Sequence, residues 1–287
     1  MHKKTKQTRP GQLHGYGQAD SAPERSSRPN PLLWAITAAL AVAYVLDVTA
    51  LCALWHPPFN PSWLDAVLLA LAVISAIIAL LRQLPASNVL AASLLIALFA
   101  AGVEWLNLET GMPFGAILPA GSGPLAARPV TWVIPFLWLA AILNSRGTGR
   151  LILRPWRKTR TYGFRLIGLT AVLAALFDFA LEPFAEHVRH YWFWEPMKIP
   201  SWQGAPMTGF FTWAIFTALI LVFVTPLLIA KQLSKRRGPD FHPLALWLGA
   251  IVFFGAGCAI ERLWVPAAAD AAIVLVAAAF AIRGALW

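Results

Sequence analysis

Leu166-Ile-Gly-Leu-Thr-Ala-Val-Leu-Ala-Ala-Leu-Phe-Asp178-Phe-Ala-Leu-Glu182-Pro-Phe184 is an apolar run in which the only charges are two carboxylates near its end. About 20 such residues, rising 1.5 Å each along a helix, cross the hydrocarbon core of a bilayer. A charge inside a crossing costs roughly 2.5–3.5 kcal/mol on insertion scales, so acids retained there are candidates for function. Their spacing of four stacks Asp178 and Glu182 on one helix face, about 5–6 Å apart at the β-carbons. Two carboxyls so placed in a low dielectric resist double ionisation, which leaves one protonated and able to serve as a general acid. Pro183, directly after them, lacks an amide proton and disturbs the helix at that point. The plainer reading of the pair is an interhelical hydrogen bond that joins a bundle.

Similar runs extend in both directions: Pro31 to Trp55, Trp63 to Leu81, Val89 to Leu106, Pro129 to Leu143, Phe210 to Ala230, Pro243 to Ile260 and Val265 to Ile282. The chain is 59% hydrophobic and 13% charged, with a mean hydropathy of +0.64, which excludes a soluble domain. The sequence therefore predicts an all-α polytopic membrane bundle of about eight transmembrane helices. Residues 1–30, polar and rich in Pro, Gly, Ser and basic side chains, read as a disordered basic tail, and 31–287 as one integral membrane domain. The net charge of +10 does not indicate nucleic acid, because it is divided unequally between loops. The tail, Arg82, the loop from Arg146 to Arg165, the stretch from Lys231 to Arg237, and Arg283 share one side. Arg128, Arg189, Lys198 and Arg262 fall on the other. By the positive-inside rule both termini are cytoplasmic, in a multi-pass protein of the cell membrane, and the basic loop from Arg146 to Arg165 faces anionic lipids.

This topology places Asp47, Asp65, Glu104, Asp178, Glu182, Glu261 and Asp270 in the outer half or at the outer rim. Acids at a boundary are cheaper than acids at the centre, and that accounts for some of them without any function. Aromatic residues gather at the same end: Tyr191, Trp192, Phe193, Trp194 and Trp202 follow the acid pair, while Trp55, Trp63, Trp105, Phe114 and Trp264 sit at other outer ends. Single tryptophans there form an ordinary interfacial belt. The run from Tyr191 to Trp194 is denser than a belt requires, and stacked aromatic faces suit a groove for a long apolar ligand and a developing cation. Glu182, Glu186 and His190 recur every four residues, a spacing from which a metal site can be imagined. The other histidines are scattered, so no metal is expected. Cys52 and Cys258 lie in apolar stretches and read as packing residues. Without a glycine-rich phosphate loop, no nucleotide or flavin cofactor is expected.

The stretch Glu104-Trp-Leu-Asn-Leu-Glu-Thr-Gly-Met-Pro-Phe-Gly115, followed by Arg128-Pro129 and Trp138, resembles the first signature of a family of carotenoid biosynthesis proteins. The family includes bisanhydrobacterioruberin hydratase and gamma-carotene 1'-hydroxylase. Asp178-Phe-Ala-Leu-Glu-Pro183, Tyr191-Trp-Phe-Trp194, Gly204-Ala-Pro206 and Phe210 to Trp213 resemble its later blocks, in order. The chain departs from the family pattern in having Glu182 before the proline, and Gly209 and Thr212 before the last tryptophan. The resemblance implies addition of water to the terminal double bond of an acyclic carotenoid end group, without redox chemistry or cofactor. It implies catalytic roles for Asp178, Glu182 and Glu104, with the proton donor open between the pair and Glu104. Phe114, Tyr191, Trp192, Trp194, Phe210 and Trp213 would bind the substrate, which comes from the bilayer or from another carotenoid enzyme. Two other classes stay open at this point. A proton-coupled transporter would distribute acids across the membrane, and a non-catalytic carotenoid-binding protein would need the aromatic groove without the acids.

Overall fold

The computed structural model describes residues 31–119, 133–196, 198–229 and 238–287. The expected disordered tail over 1–30, Arg128 and Pro129, and the basic stretch from Lys231 to Arg237 lie outside the described residues. The protein is all-helical, built from α1 (Pro31–Leu51), α2 (Ser62–Leu81), α3 (Ala86–Thr110), α4 (Val133–Ile152), α5 (Tyr162–Pro183), α6 (Met207–Val224), α7 (His242–Ile260) and α8 (Trp264–Ala285). Helices follow from the solvent: in lipid each backbone amide must be paired within its own segment. Among the described residues seven of these helices are long and apolar enough to cross a membrane, all but α4, as in a multi-pass membrane protein.

The expected count of eight crossings therefore differs at α4. The apolar run ends at Leu143, but the helix continues through Asn144, Ser145, Arg146 and Thr148 to Ile152. It carries these polar groups because 14 of its 20 residues are buried, enclosed by α2, α3, α5, α7 and α8. Polar side chains are tolerated at membrane depth when they face protein, and Arg146 donates to the Leu228 carbonyl at 3.1 Å. The hub of the bundle is thus its least apolar long helix.

The helices share two ends. At one, Ser75 Oγ meets His242 Nε2 at 2.9 Å, the Gln83 amide donates to Asp240 at 2.8 Å, and Gly147 and Gly284 lie hard against Pro243 and the Leu151 carbonyl. This end carries Arg82, Arg150, Arg154, Arg157, Lys158, Arg160, Arg165 and Arg283. At the other end two short two-stranded sheets form a cap, the first joining distant segments and the second a hairpin. Strand β1 (Ile117–Pro119) pairs antiparallel with β2 (Trp192–Trp194), and β3 (Ser201–Trp202) pairs with β4 (Ala205–Pro206). There Pro183 does not end its helix outright. The chain widens into a π-turn over Phe184–Val188, closed by the Arg189 amide on the Phe184 carbonyl at 3.0 Å, and Gly257 of α7 leaves room for the Phe184 ring. A proline that removes one i→i−4 bond favours such a bulge.

Candidate functional site

Four helices deliver the site residues to one layer. Glu104 lies six residues before the end of α3, Asp178 five before the end of α5, Trp138 five after the start of α4 and Trp213 six after the start of α6. At 1.5 Å per residue each sits about 8–9 Å below the cap. The hydrogen bonds of the cap fix what hangs into that layer. Asn107, 2% exposed and one turn beyond Glu104, accepts the Phe114 amide at 2.9 Å and donates to the Gly115 carbonyl at 3.1 Å. The chain after α3 is thereby folded back onto its own helix, and Phe114 is pressed inward. Replacing Asn107 with Leu strands two buried backbone groups, each worth about 1–3 kcal/mol. A lowered melting temperature in detergent checks this expectation, and an unchanged one overturns it.

The folded-back segment ends in β1, whose pairing with β2 sets Ile117 opposite Trp194 and Pro119 opposite Trp192. Alternate residues of a strand share a face. Trp192 and Trp194 consequently both direct their indole N–H groups at Glu182 Oε2, at 3.1 and 2.8 Å, while Phe193 points outward. Asp178 and Glu182 are 4% and 5% exposed, and they interact electrostatically one turn apart. Glu104, half-buried, and Glu186 also lie within electrostatic range of Glu182. The Asp178 carboxyl has no hydrogen-bond partner among the described residues. Of the two stacked acids, one is therefore fixed by two indole donors, and the described residues supply none to the other.

A cluster of aromatic rings, which we call the aromatic chamber, packs in the same layer. Trp138 and Trp213 stack at 4.0 Å between centroids with planes 17° apart. Phe114 packs on Trp138 at 6.4 Å and on Phe216 at 6.3 Å, and Phe99 joins the same two rings at 6.4 and 5.7 Å. Beside α5, Phe179 stacks on Trp202 at 4.5 Å and meets Phe210 edge-on at 5.2 Å. Such faces present π density that attracts cations while excluding water.

Of the residues singled out in the sequence, Asp178, Glu182, Trp192 and Trp194 come together directly, with Glu104 close by. Phe114 and Trp213 enter the chamber, and Phe210 borders it through Phe179. Tyr191 packs on Trp192 at 6.0 Å between ring centroids, but its hydroxyl is directed elsewhere. Its hydroxyl donates to Asp65 on α2, next to Arg189, which bridges Asp47 at 2.5 Å and Asp65 at 3.0 Å. Thr212 is half-buried, and its hydroxyl is taken up by the Thr208 carbonyl of its own helix at 2.9 Å. A β-carbon added at Gly209, which is buried, would meet the Phe114 carbonyl at 3.9 Å, an ordinary contact distance.

Trp138, Asn107, Phe99 and Phe179 were not singled out as site residues by the sequence. Asn107 carried a signal, an amide inside an apolar helix three residues from Glu104. Among the described residues no group of three or more His, Cys, Asp or Glu side chains is arranged to hold a metal. His187 and His190 instead bond the Gln203 and Glu186 carbonyls, at 2.9 and 2.7 Å.

Against this geometry, the family model for carotenoid biosynthesis proteins matches residues 64–277, which include all the acids and rings of the layer. No curated protein and no solved structure matches the chain. Spanning about three quarters of its length, the family match shows that the chain belongs to the carotenoid biosynthesis protein family, with a role in the making of carotenoids.

Proposed function

We propose that the protein is a hydratase that adds water to the terminal carbon-carbon double bond of an acyclic carotenoid end group. The observation that carries this reading is the unequal pair, Glu182 held by two indole N–H groups and Asp178 given no hydrogen bond by the described residues, in the layer of the Trp138–Trp213 stack. Asp178, as the protonated member, gives its proton to the less substituted alkene carbon. The π pair becomes the new C–H bond, and a tertiary cation remains on the neighbouring carbon. Glu182 supplies negative charge at a fixed position, and the aromatic faces of Trp138, Trp213, Trp192 and Trp194 shelter the cation from water other than the attacking molecule. Glu104 orients that water and takes its proton as the C–O bond forms. Passing this proton back to Asp178 restores the site, so no oxidant or reductant is consumed. Phe114 and Phe210 hold the polyene chain, while Tyr191, anchored on Asp65, backs Trp192.

The basic end of the bundle then faces the cytoplasm of the cell and the site the opposite leaflet, so the substrate enters sideways from the bilayer. The test is expression in cells that accumulate lycopene or a longer acyclic carotenoid, followed by mass spectrometry of the pigments. A gain of one water per modified end supports the proposal. Unchanged pigments beside correctly folded protein overturn it. A graded check is Trp194→Phe, which keeps the ring and removes the shorter bond to Glu182. Hydrogen bonds to charged groups are worth about 1.5–3 kcal/mol, so the rate of water addition falls by about 10- to 100-fold with pigment binding retained.

A further inference from the structure

We propose that the end of the bundle opposite the acids holds a binding site for the phosphate of an anionic lipid headgroup, formed by Arg154, Arg157 and Lys158 with Trp287. α4 stops at Ile152, and one short turn over Arg154–Trp156, led by Pro155, bends the chain sideways. α8 returns beside it because Gly284 has no side chain to collide with the Leu151 carbonyl. Between them lies a cavity of about 390 Å³ lined by Arg154, Pro155, Arg157, Lys158 and Trp287, many times the ~10–15 Å³ that a single water needs.

The lining side chains carry positive charge and no acid, and the side-chain ion pairs found among the described residues are those of Arg189 with Asp47 and Asp65, at the other end. Arg154 Nη1 is buried without a hydrogen-bond partner, a donor that an acceptor inside the cavity would satisfy. Two arginines beside a lysine match the oxygens of a phosphate ester, and arginine does so through two parallel bonds. Trp156 and Trp287, 45% and 76% exposed, lie where tryptophans anchor a protein at headgroup depth. An anion with a lipid tail is already held at that level, whereas a soluble phosphate must be drawn from dilute solution.

Native mass spectrometry of the full chain in zwitterionic detergent, titrated with phosphatidylglycerol, phosphatidylcholine or inorganic phosphate, tests the site. Phosphatidylglycerol is expected to bind at one per chain, at least tenfold more tightly than phosphatidylcholine. The double variant Arg154→Gln, Arg157→Gln loses that preference, as does the exposed Arg157→Gln alone to a smaller degree. Arg160→Gln with Arg165→Gln, an equal loss of charge outside the cavity, keeps it. Equal weakening by both double variants overturns the site in favour of diffuse attraction. Binding of inorganic phosphate as tightly as phosphatidylglycerol overturns the lipid as its source.

Discussion

The Asp178→Asn variant is expected to fold, to take up the acyclic carotenoid and to leave it unchanged. Asparagine has nearly the volume of aspartic acid, so the packed layer around α5 is kept. What is lost is the proton that the proposed mechanism draws from Asp178 beside the aromatic stack. Positioned general acids contribute about 10²–10⁴-fold, and without protonation no cation forms for water to trap. The fall in water addition is therefore about 10²–10⁴-fold, while substrate co-purifies with the variant. The same variant separates the other readings. A carotenoid-binding protein keeps its pigment and never produced an alcohol, and a transporter loses proton-coupled flux. Wild-type quantities of hydrated pigment from Asp178→Asn would sink the assignment of the donor and move it to Glu104. The clustering of Asp47, Asp65, Glu104, Asp178, Glu182 and Asp270 toward one end of the bundle already weighs against a proton path through the protein.

How far the sequence reveals this site depends on the distance in chain over which each contact acts. Asp178 and Glu182 are one turn apart, so helix geometry alone places them together. Glu182, Trp192 and Trp194 are ten and twelve residues apart, and the aromatic run after the acids pointed to their meeting. The alternation that points Trp192 and Trp194 inward and Phe193 outward belongs to a strand only three residues long, too short for a periodic signal. The stacking of Trp138 on Trp213 joins helices far apart in sequence, and no local pattern encodes it. α4 shows the opposite difficulty. Its continuation past Leu143 is hidden because hydropathy measures exposure to lipid, and a helix enclosed by five others has little such exposure.

Arg189 illustrates the same limit and gives the largest expected effect on stability. It is one of the few basic residues at the acid-bearing end, an exception to the charge asymmetry of the chain that two distant carboxylates explain. Its guanidinium joins Asp47 of α1 and Asp65 of α2, with side chains 11%, 0% and 9% exposed, and lies 5.7 Å from the centre of the Phe184 ring. Burial opposes its charge, but Asp65, Tyr191 and Asp47 outweigh that and hold the guanidinium above its ordinary pKa. Tyr191 is pushed well above the usual tyrosine range, first by burial and then by Asp65. A raised value of this kind gives stability that is complete below the unfolded tyrosine's pKa of ~10 and is lost as pH rises through the folded one. The cluster is accordingly intact at neutral pH.

Replacing Arg189 with Met removes the charge but keeps much of the bulk, which leaves Asp47 without its cation beside Asp65, whose remaining donor is the Tyr191 hydroxyl. Breaking such a pair from one side costs about 3–5 kcal/mol, so the melting temperature in detergent falls sharply. Adding Asp47→Asn to Arg189→Met is expected to restore part of the loss, because it removes one of the stranded charges; strict additivity of the two substitutions would overturn the coupling. Arg189 also closes the π-turn, and only two residues separate it from Trp192. If the cluster anchors this segment to α1 and α2, water addition by Arg189→Met at a temperature where it remains folded falls along with Trp194→Phe. The two losses are then less than additive, since both act by loosening the same donors on Glu182.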